Sequence, residues 1–292
     1  MINQILNYLI SRMKKRSITR RRVKRTHVPK RRTTVKRNQK RNVRRKRGGA
    51  NNNNMNLNPL TRAVLKEDTD EIEELLENDA LINEKNKDGK TALMYAIETK
   101  NEDIIELLVD KILDKLEWAN ENYDRTEDDI DTSDKNGNTA LMYAILEDIH
   151  PSIIQSILNC GAEVFQYNKE GETTLHFAST IGSLPIVKLL HRYIFNDDVW
   201  QETFVNKQTK EDGQTALHLA VSSHSLPVVK YLVETGADIM IEDANGETAV
   251  NYADDKKFKD IAQYFAELIA KEKYPNWKIV NNYNKVNKNK GK

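Results

Sequence analysis

Among the 292 residues, side chains able to do nucleophilic, acid–base or metal chemistry are few and scattered. The one cysteine, Cys160, cannot close an internal disulfide, which fits a reducing compartment. His176 and His218 are the imidazoles at matching places, each three residues after a threonine, Thr173 and Thr215. Carboxylate pairs occur at Asp128-Asp129 and Asp197-Asp198, but in polar stretches where nothing would desolvate one partner and shift its pKa for acid–base work. No Gly-rich phosphate loop, HExxH, CxxC or nucleophile-elbow serine occurs. Neither catalysis, nor a cofactor, nor a metal is expected.

The elements that hold these residues are repeated. GxTAL occurs at Gly89–Leu93, Gly137–Leu141 and Gly213–Leu217, with looser copies at Gly171–Leu175 and Gly246–Val250. The threonines Thr91, Thr139, Thr173, Thr215 and Thr248 are 48, 34, 42 and 33 residues apart, so the base period is 33 or 34 with two insertions. Each copy opens on a turn dipeptide ending in glycine, such as Asp212-Gly213, where a positive φ is needed. The threonine follows as a helix N-cap. In Glu211–Ala244, Leu217, Leu219 and Ala220 form one apolar face, and Val228, Val229, Leu232 and Val233 a second. Pro227 suits the first turn of the second helix, and Gly236 its left-handed end. The unit is helix, turn, helix, hairpin. Two short helices cannot bury such faces alone, so neighbouring units must stack into a one-dimensional core.

These residues closely resemble the ankyrin repeat family, whose signature runs DGxTPLHxAA and then GHxxVVxxLLxxGAD. The resemblance covers about 58–273 and implies an all-α repeat solenoid of six units: Asn58–Lys87, Asp88–Lys135, Asn136–Lys169, Glu170–Lys210, Glu211–Ala244 and Asn245–Lys273. The first lacks the turn motif and the last carries Asn251 where histidine is usual, as suits caps facing water. The proline after the threonine is Ala or Thr throughout, and the histidine is Met94 and Met142 in two units. In the family that histidine ties adjacent hairpins together, which favours a structural role for His176 and His218 over metal binding and predicts weaker coupling at Met94 and Met142. Cys160 falls in the family's GAD slot and is expected to be packed.

The first insertion, Asp114–Asp134, holds nine acidic and two basic residues with Trp118 and Tyr123. Ile104, Ile105, Leu108, Ile112, Leu113 and Leu116 predict that the preceding helix extends into it, followed by an acidic loop. The second, His191–Gln208, brings Tyr193, Phe195, Trp200 and Phe204. Inserted loops on repeat scaffolds often lie at the binding face.

Residues 1–50 hold 20 of the 46 Lys and Arg and no Asp or Glu, so residues 51–292 carry 26 basic against 44 acidic side chains, a net of −18. A basic arm with little to bury is expected to be disordered and to bind polyanions through residues 12–47 in a salt-sensitive way. It reads as a nuclear-import signal or nucleic-acid arm, against a solvated tail. Ile2, Ile5, Leu6 and Leu9 at helical spacing in an acid-free start also resemble a transit peptide or interfacial helix. Gly48-Gly49-Ala50 with Asn51–Asn54 forms a linker, and its Gly-Gly-Ala resembles processing sites in structural polyproteins of large DNA viruses. The expected domains are 1–57, a basic arm and linker; 58–273, the repeats; and 274–292, an Asn/Lys-rich tail. No run of about 18 apolar residues predicts a membrane span. A monomer in the cytoplasm or nucleus is expected.

What the resemblance implies is recognition of a protein partner on a concave face built from hairpin tips and the inner ends of first helices. The candidate positions are Lys90, Glu98, Thr99, Asn138, Leu146, Glu147, Glu172, Thr180, Ile181, Gln214, Ser222 and Ser223, with Trp118 and Trp200 from the insertions. Leu146 and Ile181 stand out as apolar and could form an anchor within a polar rim, or pack against neighbouring repeats. The alternative function is a nucleic-acid-associated or nuclear factor whose arm contacts phosphates while the repeats recruit a partner.

Overall fold

The computed structural model describes residues 57–77, 82–122, 130–194, 204–255 and 257–270. The basic arm, Gly48-Gly49-Ala50, Tyr123, Asp128-Asp129, Phe195, Asp197-Asp198, Trp200 and the tail 274–292 lie outside these residues.

The described residues form an all-α repeat solenoid whose helices come in pairs: α1 Pro59–Lys66 with α2 Thr69–Leu76, α3 Ala92–Thr99 with α4 Glu102–Asn122, α5 Ala140–Leu146 with α6 Pro151–Asn159, α7 Thr174–Thr180 with α8 Leu184–Tyr193, α9 Ala216–Ser222 with α10 Leu226–Glu234, and α11 Ala249–Asp255 with α12 Lys259–Ala270. The first helices start where the sequence predicts. Thr91 and Thr139 have extended backbones, and their hydroxyls accept the amides of Met94 and Met142 at 3.4 Å. The second helices α6, α8 and α10 each carry proline in the first turn, where its missing N–H costs no helix bond.

The helices stack in two layers. α1, α3, α5, α7, α9 and α11 pack in succession as one, and α4, α6, α8, α10 and α12 as the other. Ile97, Ile145, Val221, Ile154, Val187 and Val229 are fully buried along the seam. Because each unit closes its apolar surface only against the next, stability is shared along the stack.

Among the described residues no strand forms, only isolated antiparallel bridges at the hairpin bases, such as Tyr167 with Thr173 and Glu242 with Thr248. Successive hairpins are joined by a backbone ladder in which Lys135, Lys169, Lys210 and Ala244 donate their amides to the carbonyls of Asp88, Asn136, Glu170 and Asp212, each at 2.8 Å.

Both insertions depart from expectation at their downstream ends. α4 does extend to Asn122, but the acidic segment is already part of the scaffold by Ile130, which is 7% exposed. Asp131 accepts the amide of Glu163 at 2.7 Å, and buried Asp134 organises the hairpin turn. A tight turn needs a short acceptor for the amides two and four residues on, and an aspartate supplies it. In the second insertion, Tyr193 lies on α8 and donates to Asn159, while Phe204 is 1% exposed and packs edge-on to Phe165 with ring centres 5.4 Å apart. Phe204 is thus part of the buried core, as is Val205 next to it in the chain.

Candidate functional site

The capping threonine fixes a common register along the first helices. Three residues after it stand Met94, Met142, His176, His218 and Asn251; four after it, Tyr95, Tyr143, Phe177, Leu219 and Tyr252; seven after it, Glu98, Leu146, Thr180, Ser222 and Asp255.

The first of these rows is internal. Nδ1 of His176 accepts the amide of Thr173 at 3.1 Å and lies 2.8 Å from its hydroxyl, while Nε2 lies 3.3 Å from the carbonyl of Gln214 in the next unit. His218 repeats this with Thr215 and with the carbonyl of Glu247 at 3.0 Å. Burial pushes His176 down to about 4, against the raising influence of its backbone contacts, and lowers His218 for the same reason. Both rings are therefore neutral links. Met94 and Met142 are buried in the same slots with no polar atom to reach the next hairpin. Asn251 keeps half of the function, its Oδ1 accepting both the amide and the hydroxyl of Thr248, at 3.0 and 2.5 Å.

The second row forms an aromatic series on the hairpin side. Tyr143 donates to Asp134 Oδ2 at 2.8 Å and Tyr252 to Asp243 Oδ2 at 2.7 Å, whereas the Tyr95 hydroxyl accepts from the side-chain amide of Asn86. At Phe177 and Leu219 the hydroxyl is absent, and the corresponding turn residues are Asn168 and Thr209. Asn168 then turns its amide to Asn138 Oδ1 and Glu172 Oε2, at 3.0 and 2.8 Å.

A groove of about 360 Å³ is lined by the apolar or aromatic side chains of Met142, Tyr143, Leu146 and Phe177 and by the polar Asn136, Asn138, Asn168, Glu170 and Glu172. Leu146 is 44% exposed at a register that is otherwise Glu, Thr, Ser or Asp. Ile181 sits one residue further along its helix end, half-buried against the core and outside the groove lining. Of the two places open to this pair, Ile181 takes the packed one against the core, while Leu146 stays exposed.

The remaining candidate positions are mostly engaged with the scaffold. Lys90 pairs with Glu98 and lies over the rings of Tyr95 and Tyr143, at 5.6 and 4.8 Å. Burial works against its charge, but Glu98 and Tyr143 more than offset this and hold the ammonium above the usual lysine range. Gln214 donates to the Tyr252 hydroxyl at 2.8 Å. Thr99 and Thr180 donate back to Ala96 and His176, and Ser223 reaches Ser179 of the preceding unit at 2.9 Å. Glu147 pairs with Lys100 at 3.0 Å, and Ser222 is half-buried. Trp118 falls on α4 with its side chain outside the described set, and Trp200 lies outside it altogether. Cys160 is 3% exposed with its Sγ 3.6 Å from the Val109 carbonyl, packed as expected. Sequence reasoning missed Phe177, Tyr143 and Met142; the signal was the aromatic row itself, one residue beyond the histidine position.

No group of three or more His, Cys, Asp or Glu that could hold a metal ion occurs among the described residues. No helix among them is long and apolar enough to cross a membrane. The family model for ankyrin repeats (3 copies) matches residues 35–118, 112–202, 147–243 and 196–276. No curated protein matches the chain. An origin in a large DNA virus, which the Gly48-Gly49-Ala50 resemblance would suit, is not borne out by these findings.

Proposed function

Since the chain belongs to the ankyrin repeat family, whose members are generally protein–protein interaction modules and typically non-catalytic, we propose that it is a non-catalytic scaffold that binds a protein partner across its hairpin face. Residues 58–273 are the binding body, with 1–57 as arm and linker and 274–292 as tail. The observation that carries this reading is Leu146, an exposed aliphatic side chain in an otherwise polar register, with Phe177 beside it in a groove also lined by amides and carboxylates. An apolar centre inside a polar rim is how interfaces concentrate their affinity.

The test is affinity capture by the full chain and by its Leu146→Asp and Ser222→Asp variants. Partners lost with Leu146→Asp and kept with Ser222→Asp support the groove. Equal capture by all three would remove it from the interface.

A second reading rests on the arm, where 20 basic residues are met by no acidic one within residues 1–50. In it the arm contacts phosphates while the repeats recruit the partner, in the nucleus or cytoplasm. Deleting residues 1–49 should abolish retention on a nucleic-acid column and its steep salt dependence; unchanged retention rules this reading out.

A further inference from the structure

The groove's chemistry narrows what could occupy it, provided the interaction reading holds. Its lining contains two carboxylates, Glu170 and Glu172, and no cation. Of the neighbouring lysines, Lys90 pairs with Glu98, Lys135 lies 3.8 Å from Asp88 and Lys210 donates to the carbonyl of Lys169 at 2.8 Å, while Lys169 itself is exposed and does not line the groove. Glu172 accepts one amide hydrogen from Asn168, and the Glu170 carboxylate has no side-chain hydrogen bond or ion pair among the described residues. These anions belong to a body, residues 51–292, that is already 18 charges negative.

We propose that the occupant is a cationic peptide segment that seats an apolar side chain on Leu146 and Phe177 and reaches Glu170 and Glu172 with a flanking arginine or lysine. At about 360 Å³ the groove is at the small end of the range for ligand sites, roughly 300–1,000 Å³, so it takes side chains of a segment rather than a large ligand. An anionic segment would meet unneutralised carboxylates at close range, and a neutral one would leave them facing apolar surface. Arginine fits best, because its planar fork can bridge a carboxylate through two parallel bonds where lysine offers only a point charge.

The experiment is an array of randomised decapeptides probed with the full chain at physiological salt, alongside Leu146→Asp and the double variant Glu170→Lys/Glu172→Lys, with circular dichroism to confirm that each is folded. The arm of the full chain favours acidic peptides equally in all three, so the groove is read from differences. Expected is roughly tenfold enrichment of peptides that place Lys or Arg within three positions of a large apolar residue, as for a charge-assisted contact. The double variant should exchange this preference for Asp or Glu while keeping the apolar residue. Leu146→Asp should abolish both. Apolar enrichment that ignores the charge reversal overturns the cationic occupant and leaves the interaction reading standing; enrichment unchanged by Leu146→Asp overturns both.

Discussion

The phenol of Tyr143 donates to Asp134 Oδ2 at 2.8 Å while Oδ1 of the same carboxylate accepts the amides of Asn136 and Asn138, at 2.9 and 2.8 Å. One aspartate thus folds the hairpin and fixes the first helix beneath it. Asp134→Ala leaves two amides without their acceptor and should cost about 2–3 kcal/mol, whereas Tyr143→Phe removes one bond and should cost about 1. Urea midpoints at constant slope measure both. Equal costs would mean that the turn amides find water at no penalty.

Asp243 holds the corresponding place in the last hairpin. Burial opposes its ionisation, but the amide of Glu247, the hydroxyl of Tyr252 and the amide of Asn245 prevail and hold the carboxyl below the usual range. A depressed carboxyl stabilises the fold above its unfolded pKa of about 3.9, and the contribution is lost as the pH falls through the folded value. Wild type should therefore lose stability below about pH 4 more steeply than Asp243→Asn. Parallel acid profiles would refute this.

His176 has the same sense from a different cause, the burial of its ring. Its folded pKa of about 4 is below the unfolded value of about 6.5, so protonation favours the unfolded chain. Stability should fall by about 3 kcal/mol between pH 6.5 and 4, at 1.36 kcal/mol per unit. His176→Asn should lose the link to Gln214 yet keep the threonine cap, as Asn251 does, and its unfolding should be flatter over that window. A variant as pH-sensitive as wild type would assign the effect to other groups.

Met94→His should add the missing link, with Nδ1 on Thr91 and Nε2 toward the carbonyl of Asn138. The expected gain is about 1 kcal/mol at pH 7, shrinking at pH 5 as the new imidazole competes for a proton. No gain at pH 7 would show that histidine and buried methionine are equivalent couplers.

Gly213 and Gly246 separate backbone strain from close approach. Both have positive φ, 65° and 74°, but a Cβ on Gly213 would lie 2.9 Å from the amide nitrogen of Ala244, whereas the nearest atom to one on Gly246 is 4.0 Å away. Alanine at Gly246 should cost only the left-handed strain, about 1 kcal/mol, and at Gly213 a further 1–3 kcal/mol from displacing the next hairpin. Differential scanning calorimetry of the two variants gives the comparison; equal losses would deny the contact.

The fold was legible because its determinants are local and recur: a threonine, a glycine and two apolar faces at a fixed period. The site was less so. Leu146 and Ile181 look alike as exposed-register aliphatics, but one position along a helix end turns a side chain by about 100° and sends one into the groove and the other toward the core. The two carboxylates gain their meaning from which lysines are occupied elsewhere, which depends on neighbouring units. Phe204, read as loop, is core because the longer connection covers an apolar surface that only the stacked structure creates.

The hairpin ladder keeps one bond length, 2.8 Å, although the segments that its rungs close differ in length by up to 15 residues. The joining of successive hairpins is thus independent of contour length. Insertions or deletions at the two variable connections, after α4 and after α8, can therefore accumulate while Asn136 and Lys169, which bracket Leu146, keep their rung.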